Sequence, residues 1–389
     1  MRISVIGAGA VGSAIAKKLA DLPEVEEVLV CDTSPRALAS LAAATKAGKI
    51  HSYQVSARDT DAIAPILQKS DSVVCAIGYD RQPDLARLAV ASNCHYLDLG
   101  SSEANLEEFA LLAPEAEAAG RWIVHGCGLA PGLVNVLCLH AVNHFEEVDA
   151  AFIRVGTVPR EPKPPFDFNI SWSAAKLIED YTGKVCLIEN GDTVICEPLS
   201  RVEDIAFDAP FNQLEAFCTA GGLASLPERL AGRVQTLDFK TIRRPGHADR
   251  MRFLIGLGFA DEKSVDIRTH LTYRDILIRR MWQRLGGTDP DIVLMRIVVH
   301  GKVGGVERTL RYEMMQTGDS ESGLNAMKYC TAVPAVVIAR ELAAGAVGGG
   351  GTAPPEGIMS GNQVLAALRE HGLGITETWA DGFVPVSNR

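Results

Sequence analysis

The stretch Arg2-Ile3-Ser4-Val5-Ile6-Gly7-Ala8-Gly9-Ala10-Val11-Gly12 decides how this chain begins to fold. A short apolar strand runs directly into a Gly-x-Gly-x-x-Gly turn, and apolar residues then recur at helical spacing over 13–22. A second apolar run over 25–30 ends at Cys31-Asp32. This order of strand, glycine turn, helix, strand and acid predicts a dinucleotide-binding βαβ unit.

Each glycine of the turn has a physical task in such a unit. Gly7 permits the tight turn, Gly9 lets the backbone approach a pyrophosphate, and Gly12 lets the helix pack close to the strand. The helix then starts with Ala10 and Val11, whose N–H groups and dipole favour the negative phosphates. We therefore assign all five residues to the cofactor site.

Asp32 stands twenty residues after Gly12. At that place an acid accepts hydrogen bonds from the adenosine ribose. Its charge also repels a phosphate at the 2′ position, so the sequence favours NAD over NADP, although Arg36 lies nearby.

Strands and helices continue to alternate as far as residue 125. The further strands are predicted over 50–55, 72–77, 95–99 and 122–125. The helices between them are predicted over 60–67, 83–91 and 106–119. This alternation predicts an α/β fold with a Rossmann-type, doubly wound parallel sheet, whose ligands lie beyond the carboxyl ends of the strands. The further cofactor residues expected at these ends are Ala76, Ile77, Leu99, Cys127 and Pro131.

From about residue 148 the pattern changes to strands separated by longer loops. Strands are predicted near 151–155, 252–255, 292–300 and 309–315, the last two as an antiparallel pair. Gly348–Gly351 is interpreted as a loop and 360–371 as a helix. We predict a dinucleotide-binding domain over 1–130, to which 340–389 returns. Residues 131–339 are predicted to form an α+β domain for substrate binding and dimerisation, with a mostly antiparallel sheet.

Composition excludes several classes of protein. The 38 Lys and Arg against 48 Asp and Glu give a formal net charge of −10, which disfavours nucleic acid or an anionic membrane as partner. No apolar run reaches the ~18 residues that a membrane span needs. The nine cysteines form no Cys-x-x-Cys pair, and no His/Cys/Asp cluster has metal-ligand spacing, so we expect no metal. A strand at residue 2 leaves no room for a signal peptide, so we expect a cytoplasmic protein.

Three polar clusters of the second part could form a substrate site. They are Phe168–Ser173, Thr219–Gly222 and Lys240–His247. The residues alone leave their roles open. Trp172 could belong to the core, His247 could be a structural imidazole, and Arg243 with Arg244 could form surface ion pairs.

The chain resembles the saccharopine dehydrogenase-like family, and within it the L-lysine 6-dehydrogenases. The resemblance covers nearly the whole chain and rests on Gly7–Gly12, Tyr96–Gly100, Gly128–Asn135, Ser171–Ser173, Asp180–Thr182, Leu214–Phe217, Thr219, Gly221–Gly222, Lys240–Arg243, Gly246–His247 and Pro354–Glu356. It implies hydride transfer from the carbon beside an amine to a nicotinamide. For L-lysine that carbon is C6; the imine hydrolyses to a cyclising semialdehyde, and ammonia leaves.

The resemblance leaves two other functions open. One is a saccharopine or carboxynorspermidine type dehydrogenase that acts on a secondary amine. The other is a non-catalytic, NAD-sensing protein on the same fold. A homodimer or tetramer is expected from the family.

The resemblance also implies roles for individual residues. Arg243 would bind the substrate carboxylate. The other residues implied at the substrate are Tyr79, Trp172, Thr219, Gly221 and Thr241. Asp98 could orient or deprotonate the substrate ammonium, and His247 is the other candidate base. Asp59 would replace an acid that relatives carry at the position of Ser56, and Cys127 would form a wall of the nicotinamide pocket.

Overall fold

The computed structural model describes residues 1–45 and 48–387. These divide into two compact units. The first unit comprises 1–136, 320–324 and 328–372, and the second comprises 137–319, 325–327 and the described residues from Leu373 onward. Within the described residues, no helix is both long enough and apolar enough to cross a membrane.

The first third of the chain alternates strands with helices, as predicted. Its elements are β1 (Arg2–Ile6), α1 (Ala10–Ala20), β2 (Glu27–Asp32), α2 (Pro35–Ala43), β3 (Ile50–Gln54), α3 (Thr60–Leu67), β4 (Ser72–Cys75), α4 (Gln82–Ala91), β5 (His95–Asp98), α5 (Glu103–Ala118) and β6 (Trp122–Val124).

The rest of the chain contains longer strands and irregular connections. Its elements are α6 (Leu133–Val142), β7 (Glu147–Pro159), α7 (Ala174–Thr182), β8 (Val185–Glu189), β9 (Asp192–Cys196), β10 (Glu203–Ile205), β11 (Leu214–Cys218), α8 (Leu226–Leu230), β12 (Val234–Arg243), α9 (His247–Gly256), α10 (Tyr273–Leu285), β13 (Asp291–Val303), β14 (Val306–Thr317), α11 (Ala326–Ala343), β15 (Gly351–Ala353), α12 (Gly361–Glu370) and β16 (Thr376–Asp381).

The described residues of the first unit form a parallel sheet of seven strands. The strand order is β15-β6-β5-β4-β1-β2-β3, and every pair is parallel. Its inner strands β1, β2, β4 and β5 are almost entirely buried, because a parallel sheet is covered on both faces, whereas the edge strand β3 is largely exposed. Strand β1 lies between β2 and β4, so the chain reverses its direction of winding there. The predicted doubly wound fold is confirmed.

The second unit contains a mixed sheet. Its order is β10-β11-β12-β7-β13-β14-β16, and the hairpin β8–β9 also pairs with β12. Among the described pairs, β7 with β12 is parallel and the others are antiparallel. The predicted antiparallel pair is the β13–β14 hairpin, which turns at Gly304 and Gly305, both at positive φ. The expected α+β architecture is confirmed.

The predicted strand near 252–255 is wrong. These residues lie in α9, which buries Ala248 and Met251 in a core cluster while Phe253 stays 66% exposed. The run 252–255 alone is compatible with a strand. The helical spacing becomes visible only when the buried residues Ala248 and Met251 before it are included.

The chain end and the glycine run also differ in detail from the prediction. Strand β16 pairs with β14 along Arg308–Glu313, so the described residues after 372 belong to the second unit and not to the first. The run Gly348–Gly351 ends in a strand, because β15 pairs with β6 through main-chain hydrogen bonds.

One face of the second sheet contains a buried ion cluster. Arg154 is 1% exposed and bonds both Glu203 and Asp238, and Lys240 Nζ lies 2.7 Å from Glu203 Oε2. Burial acts to raise the pKa of Glu203, but Arg154 and Lys240 outweigh it and hold that pKa below its ordinary value. Each charge depends on its partners, since an unpaired buried charge is costly.

Replacing Arg154 with Met should lower the free energy of unfolding by about 3–5 kcal/mol, because two carboxylates lose a buried partner. Urea unfolding measures this loss. The matched control is Arg201→Met, since Arg201 is 40% exposed and pairs with Glu189 at the surface. That change should cost less than ~1 kcal/mol. Equal stability of the two variants would contradict the structural role of the buried cluster.

Candidate active site

The turn after β1 leaves no room for a side chain at two of its glycines. A Cβ on Gly12 would lie 1.9 Å from Gly7 O. A Cβ on Gly7, whose φ is +104°, would lie 2.7 Å from both Ala76 O and Ile77 Cγ2. At Gly9, in contrast, a Cβ would meet no atom within 4 Å. The turn is thus closely packed at its ends and open in the middle.

Helix α1 starts directly after this open position. It begins at Ala10 without a side-chain cap and has no acidic residue in its first turn. The first N–H groups of a helix lack intrahelical acceptors and carry the positive end of its dipole. Ala10 is exposed and Val11 half-buried, so these groups are accessible. Open space beside uncapped N–H groups fits the pyrophosphate of a dinucleotide.

Asp32, the last residue of β2, stabilises the glycine turn after β1 through hydrogen bonds. Its Oδ2 accepts a hydrogen bond of 2.6 Å from Ala8 N, and its Oδ1 accepts one of 2.7 Å from Ser34 N. The side chain is half-buried, and each oxygen retains a second lone pair. These lone pairs can accept hydrogen bonds from ribose hydroxyls, so the residue fits an adenosine as well as holding the turn.

Asp98, at the end of β5, is a fully buried carboxylate. Its Oδ1 accepts hydrogen bonds of 2.9 Å from Gly100 N and Gly126 N, and its Oδ2 accepts one of 2.7 Å from Ser101 Oγ. Burial raises the pKa of Asp98 to about 6, and these three donors oppose the rise. The carboxylate therefore holds two glycine turns in place at the carboxyl edge of the sheet.

Several predicted residues surround these two turns. A Cβ on Gly100 would lie 3.9 Å from both Pro131 Cγ and Tyr79 Oη, which places all three together. Cys127 N donates to Asp98 O at 2.8 Å, and its thiol is fully buried. Burial raises the pKa of Cys127 well above its ordinary value, so the thiol does not supply a nucleophilic thiolate.

In the second unit, Arg243 is a buried cation among aromatic rings. It is 4% exposed, and its guanidinium carbon lies 4.6 Å from the ring centre of Phe168 and 5.8 Å from that of Trp172. Nη1 donates to Ile242 O at 2.8 Å, and Nε donates to Tyr181 Oη at 3.2 Å. No carboxylate of a described residue lies within 4.0 Å of this guanidinium.

Tyr181 connects Arg243 with His247. Its Oη lies 3.0 Å from His247 Nε2. Because an arginine nitrogen can only donate, Oη accepts from Arg243, and its own proton can be donated to His247 Nε2. Burial and then the charge of Arg243 hold the pKa of His247 well below its ordinary value. The imidazole is therefore neutral at physiological pH.

Glu215 fixes the position of His247. Its Oε2 accepts a hydrogen bond of 2.7 Å from Gly246 N, and its Oε1 accepts one of 2.8 Å from Ala248 N. A carboxylate at the first turn of α9 satisfies free N–H groups and the helix dipole. The motif that contains Glu215 was part of the family resemblance, but the sequence gives no signal for this contact.

Two further pairs lie near the same strands. Thr219 Oγ1 lies 2.7 Å from Thr241 Oγ1, across β11 and β12. Gly221 has a φ of +81°, and a Cβ there would lie 3.0 Å from Asp180 Oδ1. Asp180 forms an ion pair of 2.9 Å with Lys176, and neither residue was among the predicted substrate contacts.

Comparison with known families identifies the family of this chain. Residues 3–124 match the saccharopine dehydrogenase NADP binding domain, and residues 128–373 match the saccharopine dehydrogenase C-terminal domain. The chain belongs to the saccharopine dehydrogenase family. It is thus an oxidoreductase of a family that acts on amines and amino acids, with a nicotinamide-dinucleotide domain in its first unit.

Two solved structures share the fold of this saccharopine dehydrogenase-family chain. Saccharopine dehydrogenase (L-Glu forming) from Saccharomyces cerevisiae is 15% identical, with a TM-score of 0.79 over 97% of this chain and 99% of that one. Homospermidine synthase from Legionella pneumophila, solved with NAD, is 11% identical, with a TM-score of 0.69 over 100% of this chain and 93% of that one. At such identities the likeness shows the fold alone.

The predicted site residues of this family member fall into two groups. The first unit brings together the residues Gly7, Gly9, Ala10, Val11, Gly12, Asp32, Ala76, Ile77, Tyr79, Asp98, Leu99, Cys127 and Pro131 at the carboxyl edge of its sheet. The second unit holds the residues Trp172, Thr219, Gly221, Thr241, Arg243 and His247. Asp59 accepts a hydrogen bond from Ala62 N and so caps α3, which gives it a structural role. Its contact with the cofactor stays a prediction.

The structure revises how the two catalytic candidates act. Asp98 and His247 are each 0% exposed, and their side chains bond the glycine turns and Tyr181, respectively. A side chain without exposed surface does not contact a substrate directly in this conformation. In this conformation both residues act as positioning residues, and proton transfer by either one stays a prediction.

Replacing Gly9 with Ala should leave the fold intact and weaken dinucleotide binding. Its φ of −68° suits Ala, and the methyl group would enter the open space expected for the pyrophosphate. Gly12→Ala is the matched control, because its methyl would collide with Gly7 O and should lower the melting temperature as well. Differential scanning calorimetry and NADH fluorescence separate the two effects. Unchanged NADH binding by the Gly9 variant would remove the pyrophosphate from this turn.

Replacing Asp32 with Ala should weaken NAD binding by about 10- to 100-fold, because hydrogen bonds to a charged acceptor are lost. NADP should lose much less, since a repulsion is relieved at the same time. The ratio of the two dissociation constants is the measurement, because damage to the turn affects both cofactors alike. An unchanged ratio would place the ribose elsewhere.

Proposed function

We propose that this chain is an NAD-dependent dehydrogenase that oxidises the carbon beside the side-chain amine of an amino acid, with L-lysine oxidised at C6 as its substrate. The products would be the 6-semialdehyde, which cyclises, and ammonia. The observation that carries the proposal is the buried guanidinium of Arg243, which has no carboxylate of a described residue within 4.0 Å. Family membership indicates the class of reaction. The positive charge of Arg243 indicates that the substrate bears an acidic group.

The surroundings of Arg243 suit a carboxylate from outside the chain. Burying an unpaired charge costs several kcal/mol, and aromatic faces such as Phe168 and Trp172 offset only part of that cost. Nε and Nη1 are engaged within the protein, while Nη2 makes no hydrogen bond to a described residue. The neutral imidazole of His247 adds no competing charge. A substrate carboxylate would complete this arrangement.

The remaining residues take supporting roles in the proposed reaction. The nicotinamide, when bound, accepts the hydride. A hydride leaves only from carbon beside a neutral amine, so a proton must first leave the substrate ammonium. Asp98, with a pKa raised to about 6, and the neutral His247 have the correct protonation states to accept it near neutral pH, but each would do so through another group. For His247 that group is the Tyr181 hydroxyl.

Saccharopine, one of the secondary-amine alternatives, would require a second carboxylate site, because it carries a glutamate arm. The next arginine along the chain, Arg244, faces a different cluster, since its guanidinium lies 5.4 Å from the ring centre of Phe211. Phe211 belongs to another core cluster than Phe168. The second unit therefore favours a substrate with one carboxylate at this place.

Purified protein with NAD should form NADH, measured at 340 nm, with L-lysine, and ammonia should be released in equal amount. Arg243→Lys should raise the KM for L-lysine by about 10- to 100-fold, because a point charge replaces a planar fork. The dissociation constant for NAD should stay unchanged, since Arg243 lies outside the dinucleotide domain.

Arg244→Lys is the control for this variant and should keep the KM near that of the wild type. Turnover only with saccharopine or a carboxylated polyamine would overturn L-lysine as substrate and leave the oxidoreductase class intact. Normal lysine kinetics in the Arg243 variant would move the carboxylate site elsewhere.

A further inference from the structure

A cavity lies in the first unit, at the amino edge of the parallel sheet. It has a volume of about 530 Å³, and its lining includes His95, Arg121, Trp122 and the glycine run Gly348–Gly350. Strands β5, β6 and β15 begin at this edge. The dinucleotide turn follows the carboxyl end of β1, so the cavity is separated from it by the length of the strands.

Both ring nitrogens of His95 contact hydrogen-bond donors of neighbouring residues. The residue is 4% exposed. Trp122 N donates to His95 Nδ1 at 3.0 Å, and Arg121 Nη1 lies 2.9 Å from His95 Nε2. Burial and then the charge of Arg121 lower the pKa of His95 to about 4, so the ring is neutral at pH 7. A neutral ring that accepts at Nδ1 carries its proton on Nε2, where the arginine can only donate. Two N–H groups thus meet beside the cavity without an acceptor.

Arg121 brings a positive charge to the same place. Its Nε donates to Asn93 Oδ1 at 2.8 Å, which leaves the charge without an anionic partner. Among the residues that the structure describes, no carboxylate lies within 4.0 Å of this guanidinium. Glu117 also lines the cavity, but it is exposed and so strongly hydrated. The charge of Asp71 opposes that of Arg121 at His95, but Asp71 does not line the cavity. The buried lining therefore presents donors and the positive charge of Arg121.

The glycine run closes one side of the cavity against Trp122. A Cβ on Gly350 would lie 2.6 Å from Ala116 O and 2.8 Å from Arg121 N, so this position accepts no side chain. A Cβ on Gly349 would lie 3.5 Å from the indole of Trp122, whose Nε1 donates to Gly348 O at 3.2 Å. The loop is thereby held on the edge of the indole, which provides an apolar wall.

We propose that this cavity binds the carboxylate of a small organic anion, which accepts hydrogen bonds from His95 Nε2 and Arg121 Nη1. An oxygen beside both donors removes their mutual repulsion, and the planar guanidinium matches a carboxylate. The indole wall favours an organic anion over inorganic phosphate. This site is independent of the proposed dehydrogenase function, because no residue of the two groups described above takes part in it.

Titration calorimetry on the full chain with benzoate tests the proposal. The wild type should bind benzoate, and Arg121→Gln should weaken that binding by about 10- to 100-fold, because a charged donor pair is lost. Arg121→Lys should fall between the two, since it retains the charge and loses the fork. Arg87→Gln is the matched control, because it removes an exposed arginine of the same unit and should change nothing.

Two further measurements make the result specific. Arg243→Lys should retain the Arg121-dependent binding, which separates this cavity from the proposed substrate site. Nuclear magnetic resonance should show the pKa of His95 rising when benzoate binds, because an anion favours the imidazolium. Normal NAD affinity of Arg121→Gln shows that the first unit is folded. Equal benzoate binding by wild type and Arg121→Gln, or binding of phosphate but not benzoate, would overturn the proposal.

Discussion

A buried carboxylate organises the carboxyl edge of the first sheet. Asp98 has no exposed surface, and its charge is stabilised by the N–H groups of Gly100 and Gly126 and by the hydroxyl of Ser101. Its raised pKa shows that these bonds offset only part of the cost of burial. These hydrogen bonds hold the turns at Gly100 and Gly126, which lie outside helices and strands, in one position. The surroundings of Tyr79 and Pro131 depend on that position.

Much of the fold could be predicted because its signals are local. An inner parallel strand is buried on both faces, so β1 and β4 appear in the sequence as short, mostly apolar runs. The glycine turn was readable because steric contact at Gly7 and Gly12 excludes every other residue type. The elements that the sequence did not predict correctly depend on contacts with residues distant in the chain. Strand β15 forms because β6 offers it a free edge, and helix α9 is recognised only by its buried residues.

The candidate site was predictable to a smaller extent. Glycine spacing and Asp32 indicated the dinucleotide turn, since every feature of it lies within 32 residues. The contacts around Arg243 arise between residues far apart in sequence. Tyr181 lies 62 positions from Arg243, and Glu215 lies 31 positions from Gly246. No periodicity reports such pairs, so the sequence left open whether Arg243 lies at the surface and whether His247 is a structural imidazole. Burial of both residues excludes the surface ion pair and gives the imidazole a fixed partner.

The arginines of the second unit show why one of them is suited to binding. Arg154 and Arg296 are equally buried, and carboxylates of Glu203 and Glu313 neutralise them. Arg243 also has a carboxylate directly across the strand pair, because Glu215 is its register partner. The oxygens of Glu215 accept hydrogen bonds from the backbone N–H groups of Gly246 and Ala248 at the start of helix α9, and neither oxygen lies within 4.0 Å of the Arg243 guanidinium. A helix terminus thus binds the carboxylate that lies across from Arg243, and the fold that buries the guanidinium also leaves it without a described carboxylate within 4.0 Å, as the proposed substrate site requires.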